Sequence, residues 1–120
     1  MKRTLLVLMA VLLLASISWA QAPKGEEVTI TGKMTCTFCN LPAPAKGTKE
    51  CCQNCVKAGD PVLLEDAKGN LYILLTGEHE KPLMTPERME LLTATVTVKG
   101  LLAKRGGVQG IYVKELQKAK

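Results

Sequence analysis

The chain has 120 residues, of which 47% are hydrophobic and 22% are charged, with 16 lysines and arginines against 11 acidic residues. A chain of this length makes one domain, and its core is small enough for a metal ion or a disulfide to add usefully to stability. The charges are scattered singly or in pairs and only 3% of the residues are aromatic, which excludes the basic groove and stacking platforms of a nucleic-acid-binding protein.

The first twenty residues are typical of a cleavable export signal. Lys2 and Arg3 form a basic start, residues 5–17 are an apolar run, and Ala20 places a small residue at the cleavage position. The run is shorter than the roughly 20 apolar residues that cross a membrane as a helix. We therefore expect residues 1–20 to be removed, leaving a chain without a membrane anchor in the periplasm or in the secreted fraction.

A single domain is predicted over residues 28–117, after a polar leader at residues 21–27. Its first segment, residues 28–34, alternates apolar and polar side chains, which is the period of a strand with one buried face. A cysteine-rich loop and helix follow over residues 36–59, with Thr48 as the capping residue of the helix. The domain thus begins with a strand that leads directly into the cysteines.

The rest of the domain is predicted to form two hairpins separated by a short helix. The first hairpin pairs residues 61–65 with residues 71–76 across a turn rich in Asp, Gly and Asn. A proline begins the helical segment over residues 86–92. The second hairpin pairs residues 93–98 with residues 108–113. Alternation along this hairpin places four residues in the core: Val96, Val98, Ile111 and Val113.

Five strands with a helix between the third and the fourth are the elements of an OB-type five-stranded barrel. In such a barrel the sheet closes on itself and so protects its strand edges. The alternative is a small split β-sandwich with two helices. The predicted fold class is therefore mainly β with one or two short helices.

Four short segments carry a family resemblance. They are TATVTVKG at residues 93–100, RGGVQGIYV at residues 105–113, CCQNC at residues 51–55 and GDPV at residues 59–62. Together they resemble small exported bacterial OB-fold proteins of uncharacterised function. The resemblance implies the same barrel and a set of three cysteines, which here would be Cys36, Cys51 and Cys55. This sequence departs from that pattern by adding two further cysteines, Cys39 and Cys52. No activity is implied, because the fold serves many functions.

Four of the five cysteines form a C-x2-C-x12-C-x2-C pattern, made by Cys36, Cys39, Cys52 and Cys55. Two residues between cysteines let both sulfurs turn towards one tetrahedral ion, and the loop between the pairs completes the site. Asn40 is expected to take the left-handed backbone that such a turn often requires. Thiolate ligands favour zinc or copper(I). The pattern therefore predicts an exported metal-binding protein, with Cys51 as the alternative ligand.

Disulfides are the alternative explanation for the cluster. Export places the thiols in an oxidising compartment, where five cysteines allow two bridges and one leftover thiol. A bridge from Cys36 or Cys39 to a helix cysteine would stabilise the domain by about 3 kcal/mol. The protein would then be a disulfide-stabilised binding module for another envelope protein or a small ligand, with no metal and no catalysis. Thiol–disulfide exchange is the only enzymatic hypothesis, and the sequence lacks the βαβ unit that usually carries it.

The other candidate ligands and catalytic groups are predicted to be ordinary side chains. His79 is the only histidine and lies in a polar loop, where a solvated residue is the simpler interpretation. Met34, Met84 and Met89 lie in separate elements and are predicted to pack in the core. The sequence contains no serine nucleophile motif and no phosphate-binding loop. We therefore do not expect an enzyme.

Overall fold

The computed structural model describes residues 24–43 and 47–120. Eight elements follow one another in the chain: β1 (Glu26–Cys36), α1 (Thr37–Asn40), α2 (Lys49–Lys57), β2 (Val62–Asp66), β3 (Leu71–Thr76), α3 (Pro86–Met89), β4 (Thr95–Arg105) and β5 (Val108–Lys118). The predicted export signal, its cleavage site and the start of the polar leader lie outside the described residues. No helix in the described ranges has the length and the apolar character needed to cross a membrane.

The five strands close into a barrel in the order β1-β2-β3-β5-β4, with β4 paired back to β1. β3 and β5 run parallel, and the other neighbouring strands run antiparallel. The prediction of an OB-type five-stranded barrel is confirmed. The split β-sandwich does not form, because β1 pairs with strands on both of its sides and the sheet keeps no open edge.

β1 pairs with two neighbouring strands, one along each part of its length. Its residues 26–33 pair with β4, and its residues 32–36 pair with β2. Gly32 lies where the two pairings overlap, opposite Asp66 of β2 and Val96 of β4. A Cβ atom on Gly32 would lie 2.3 Å from the carbonyl oxygen of Glu65. The missing side chain therefore lets β2 approach β1 closely, just before β1 reaches the first cysteine.

The closing hairpin is longer than the alternation predicts. Both β4 and β5 have 11 residues, whereas the sequence pattern marks only six in each. The additional residues are mostly exposed or half-buried, so they leave no clear hydrophobic alternation. Gly106 and Gly107 form the turn with positive φ angles of 56° and 82°, a backbone conformation that favours glycine.

The core lies inside the barrel, and the four core residues predicted on the closing hairpin are confirmed. Val96, Val98 and Ile111 have no exposed surface, and Val113 is 6% exposed. The other strands and the segment after α3 supply further buried side chains: Met34, Val62, Leu63, Leu64, Tyr72, Leu74 and Leu92. Met84 and Met89 are partly buried and pack against this core. The methionines are therefore packing residues, as predicted.

Shortening a core side chain should destabilise the barrel. We expect Val98→Ala to lower the free energy of unfolding by about 1–3 kcal/mol, because the change removes buried methyl groups and leaves a cavity. Val108→Ala makes the same chemical change on β5 at a side chain that is 56% exposed, so its effect should stay within about 0.5 kcal/mol. Urea denaturation of both variants measures the difference. Equal effects would contradict the assignment of the buried face.

Candidate metal centre

The end of β1 and the turn α1 place the first two cysteines. Cys36 is the last residue of β1 and has no exposed surface. The N–H and the hydroxyl of Thr37 both donate to the carbonyl oxygen of Pro61, at 3.1 Å and 2.6 Å. These bonds fix α1 against the segment that follows α2. Cys39 is thereby held close to the helix that carries the other three cysteines.

The helix α2 begins and ends where the sequence predicts. The hydroxyl of Thr48 accepts a hydrogen bond from the N–H of Cys51 at 3.2 Å, and Gly59 stops the chain with a positive φ of 105°. The three helix cysteines differ in depth. Cys52 has no exposed surface, Cys55 is half-buried, and Cys51 is exposed. The helix therefore places the sulfur of Cys52 in the interior, that of Cys55 at the edge of the core and that of Cys51 at the surface.

Three sulfurs from three elements lie close together at the edge of the core. The Sγ atoms of Cys36, Cys39 and Cys55 all lie within 4.8 Å of one another, and we call these residues the cysteine trio. In a tetrahedral zinc site with Zn–S bonds of about 2.3 Å, neighbouring sulfurs are about 3.8 Å apart. Small side-chain rotations would bring the trio to that spacing. The structure thus brings together three of the four ligands in the predicted pattern.

Cys52, the fourth ligand in the predicted pattern, touches the trio through Cys36. Their Sγ atoms are 3.2 Å apart. Gly47 lies beside this contact, and a Cβ atom there would be 3.4 Å from Sγ of Cys52 and 3.8 Å from Sγ of Cys39. The sulfurs of Cys52 and Cys39 therefore both lie next to Gly47, which has no side chain to occupy the space beside them.

Cys51, the alternative ligand, lies on the outer side of the cluster. Its Sγ atom is 3.4 Å from Sγ of Cys39, and the residue is exposed. The geometry groups Cys39 rather than Cys51 with Cys36 and Cys55. All five cysteines are free thiols in the structure. The sulfurs therefore form one continuous cluster that runs from the interior to the surface.

Asn40 supports the buried side of the cluster. It is the last residue of α1 and has helical backbone, so the expected left-handed conformation is wrong. The side chain is 3% exposed and its Nδ2 donates to the carbonyl oxygen of Cys36 at 2.9 Å. The same nitrogen lies 3.7 Å from Sγ of Cys36 and 3.9 Å from Sγ of Cys52. Helical backbone turns this amide inwards, where it can donate to the sulfur of Cys36 or of Cys52. The only sequence signal for this role is a polar residue directly after the first cysteine pair.

The thiols of the cluster influence one another's ionisation. Burial raises the pKa of Cys36, but hydrogen bonds from the backbone N–H of Cys39 and with the Cys52 thiol outweigh it, and the pKa is lowered. The pKa of Cys39 is raised, chiefly by its hydrogen bond with Cys51. Burial is the largest cause of the raised pKa values of Cys52 and Cys55. Cys36 is therefore the favoured thiolate, and a metal ion would displace protons from its neighbours.

The remaining candidate ligands lie elsewhere. His79 is exposed in the loop after β3, as predicted for a solvated residue. Among the described residues, four carboxylates form ion pairs at the surface: Glu90 with Lys49, Glu78 with Lys81, Glu115 with Lys99 and Glu27 with Lys114. In the described ranges, a group of metal-ligand atoms within 4.8 Å of one another is formed by the cysteine trio. The cysteine cluster is therefore the candidate site for a metal ion.

Comparison with known proteins gives no match: no family model, no curated protein and no solved structure is similar to the chain. The resemblance to exported OB-fold proteins therefore stays a prediction. Among the residues that the structure describes, the grouped ligand atoms of the cluster are three cysteine sulfurs. Sulfur ligands favour soft metal ions over magnesium or calcium.

Proposed function

We propose that this chain is an exported metal-binding protein that holds one zinc or copper(I) ion in its cysteine cluster. The observation that carries the proposal is the cysteine trio, whose sulfurs lie within 4.8 Å of one another although they come from β1, α1 and α2. Cys36 and Cys39 are close in the chain, so the informative feature is that α2 brings Cys55 to both of them. The export signal predicted at residues 1–20 supports a role in the periplasm or outside the cell.

The number of ligands separates the two metals. Copper(I) is satisfied by two or three soft ligands, so the trio alone would suffice. Zinc in a structural site takes four ligands, and Cys52 is proposed as the fourth because its sulfur already contacts Cys36. Asn40 would then serve as a supporting residue, since its amide donates towards both buried sulfurs.

Metal content and thiol count test the proposal together. We expect the full chain, expressed with its own first twenty residues and isolated without reductant, to contain one zinc or copper ion per chain. After removal of the ion under denaturing conditions, all five cysteines should react as free thiols. Elemental analysis and thiol titration make the two measurements. A protein with no metal and four oxidised cysteines would contradict the proposal.

A disulfide-stabilised binding module is the second candidate function. It is favoured by the two short sulfur contacts, 3.2 Å between Cys36 and Cys52 and 3.4 Å between Cys39 and Cys51. Small rotations would bring each pair to the S–S bond length of about 2.05 Å. These two bridges would leave Cys55 as the single thiol. The same thiol titration therefore distinguishes the candidates, with one reactive cysteine for the module and five for the metal protein.

A further inference from the structure

We infer that Cys51 is the exchange ligand through which the metal ion enters and leaves the cluster, an inference that rests on the proposed function. The sulfurs differ in depth: Cys36 is fully enclosed, Cys39 and Cys55 are half-buried, and Cys51 is exposed. Cys51 is also within 3.4 Å of Cys39. It therefore connects the solvent to a member of the trio, whereas Cys52, which contacts Cys36, is enclosed.

Metal transfer between thiolates needs such a surface ligand. An ion bound to Cys36, Cys39 and Cys55 would have one enclosed and two half-buried sulfur ligands, which restrict the approach of a donor or acceptor ligand. Release without an intermediate ligand would break several metal–sulfur bonds at once. A sulfur that contacts the trio and also meets solvent allows the bonds to be exchanged one at a time. Cys51 lies in the first turn of α2, where its N–H donates to the hydroxyl of the capping residue Thr48. This bond holds its backbone in place.

The exchange step conserves charge and electrons. On release, the Cys51 thiol gives its proton to solvent and its sulfur forms a bond to the ion, while the bond from the ion to Cys39 breaks. Cys39 then takes up a proton from solvent. An acceptor ligand next binds the ion. The bonds to Cys52 (in the zinc form), Cys36, Cys55 and finally Cys51 break in turn, and each freed thiolate takes up a proton from solvent. The oxidation state of the metal does not change, and no oxidant or reductant takes part.

A transfer experiment with Cys51→Ser tests the inference. The full chain loaded with zinc is mixed with a colorimetric zinc chelator, and the rate of transfer is followed by absorbance. We expect the variant to keep one ion per chain but to transfer it at least about tenfold more slowly, because a tethered sulfur acts at an effective concentration in the millimolar range or above. Asn54→Ser, at an exposed position on the same helix, should transfer zinc at the parent rate.

Alkylation gives an independent measurement. In the zinc-loaded parent protein, iodoacetamide should modify one cysteine, identified by peptide mass as Cys51, while the ion stays bound. A parent rate of transfer in Cys51→Ser would overturn the exchange role and leave the proposed metal site standing. Loss of the ion from Cys51→Ser would overturn it as well, because Cys51 would then be a resident ligand. A parent protein that binds no zinc and no copper(I) would overturn the proposed function itself.

Discussion

Cys36→Ser is expected to lower the affinity of the protein for zinc by about 100-fold. Structural zinc sites bind with about 10–16 kcal/mol at neutral pH, so one of four ligands contributes roughly 3 kcal/mol, which corresponds to that factor. Cys36 is the residue whose loss should matter most. It belongs to the trio, its thiol contacts the sulfur of Cys52, and its sulfur accepts a hydrogen bond from Nδ2 of Asn40. Competition with a chelator of known affinity measures the change.

A control is needed because Cys36 is fully enclosed, and a buried serine hydroxyl also costs about 1–3 kcal/mol of folding free energy. Thr35→Ser makes a change of similar size one residue earlier, at another side chain with no exposed surface, and should leave the zinc affinity unchanged. Cys39→Ser replaces a half-buried member of the trio and should lose affinity with less harm to the fold. If Cys36→Ser and Cys39→Ser both bind zinc as tightly as the parent protein, the trio is not the metal site.

Much of the fold could be predicted because local patterns and the barrel agree. Alternation marked β1 and the closing hairpin, and Thr48 and Gly59 marked the two ends of α2. The outer halves of β4 and β5 could not be predicted in the same way. The added residues, 99–105 in β4 and 114–118 in β5, are mostly exposed or half-buried. They are held in the sheet by pairing mainly with the predicted part of the other strand, as in Leu101 with Tyr112 and Leu116 with Val98. Hydrophobic periodicity does not record such pairing.

The cluster could be predicted in its residue types but only partly in its contacts. The C-x2-C spacing selects four cysteines, of which the structure brings the sulfurs of three within 4.8 Å of one another, and it leaves Cys51 as the alternative. The contact of Cys51 with Cys39, however, depends on how α2 is rotated against α1. That rotation is set by the Thr37 bonds to Pro61 and by the burial of Cys52 in the core. The inward direction of the Asn40 side chain also depends on the position of α1, because Asn40 is the last residue of that helix and its amide lies beside the sulfurs of Cys36 and Cys52.

The barrel itself should depend strongly on Gly32. This residue lies where β1 changes its pairing from β4 to β2. A Cβ atom there would lie 2.3 Å from the carbonyl oxygen and 2.8 Å from the carbonyl carbon of Glu65. Both are backbone atoms of the neighbouring strand, so no side chain can rotate away to relieve the clash. An added methyl group would therefore have to push β2 away from β1.

We accordingly expect Gly32→Ala to lower the free energy of unfolding by about 3 kcal/mol or more, at the upper end of the cost of overpacking. Moving β2 would also move the segment around Pro61 that holds α1, so the variant should bind zinc more weakly even where it is folded. Thr29→Ala, at an exposed position on the same strand, should change the stability by no more than about 0.5 kcal/mol. Urea denaturation and zinc competition measure both effects. A Gly32→Ala protein as stable as Thr29→Ala would show that β1 and β2 can separate at this point without cost, and that closure of the barrel does not require the glycine.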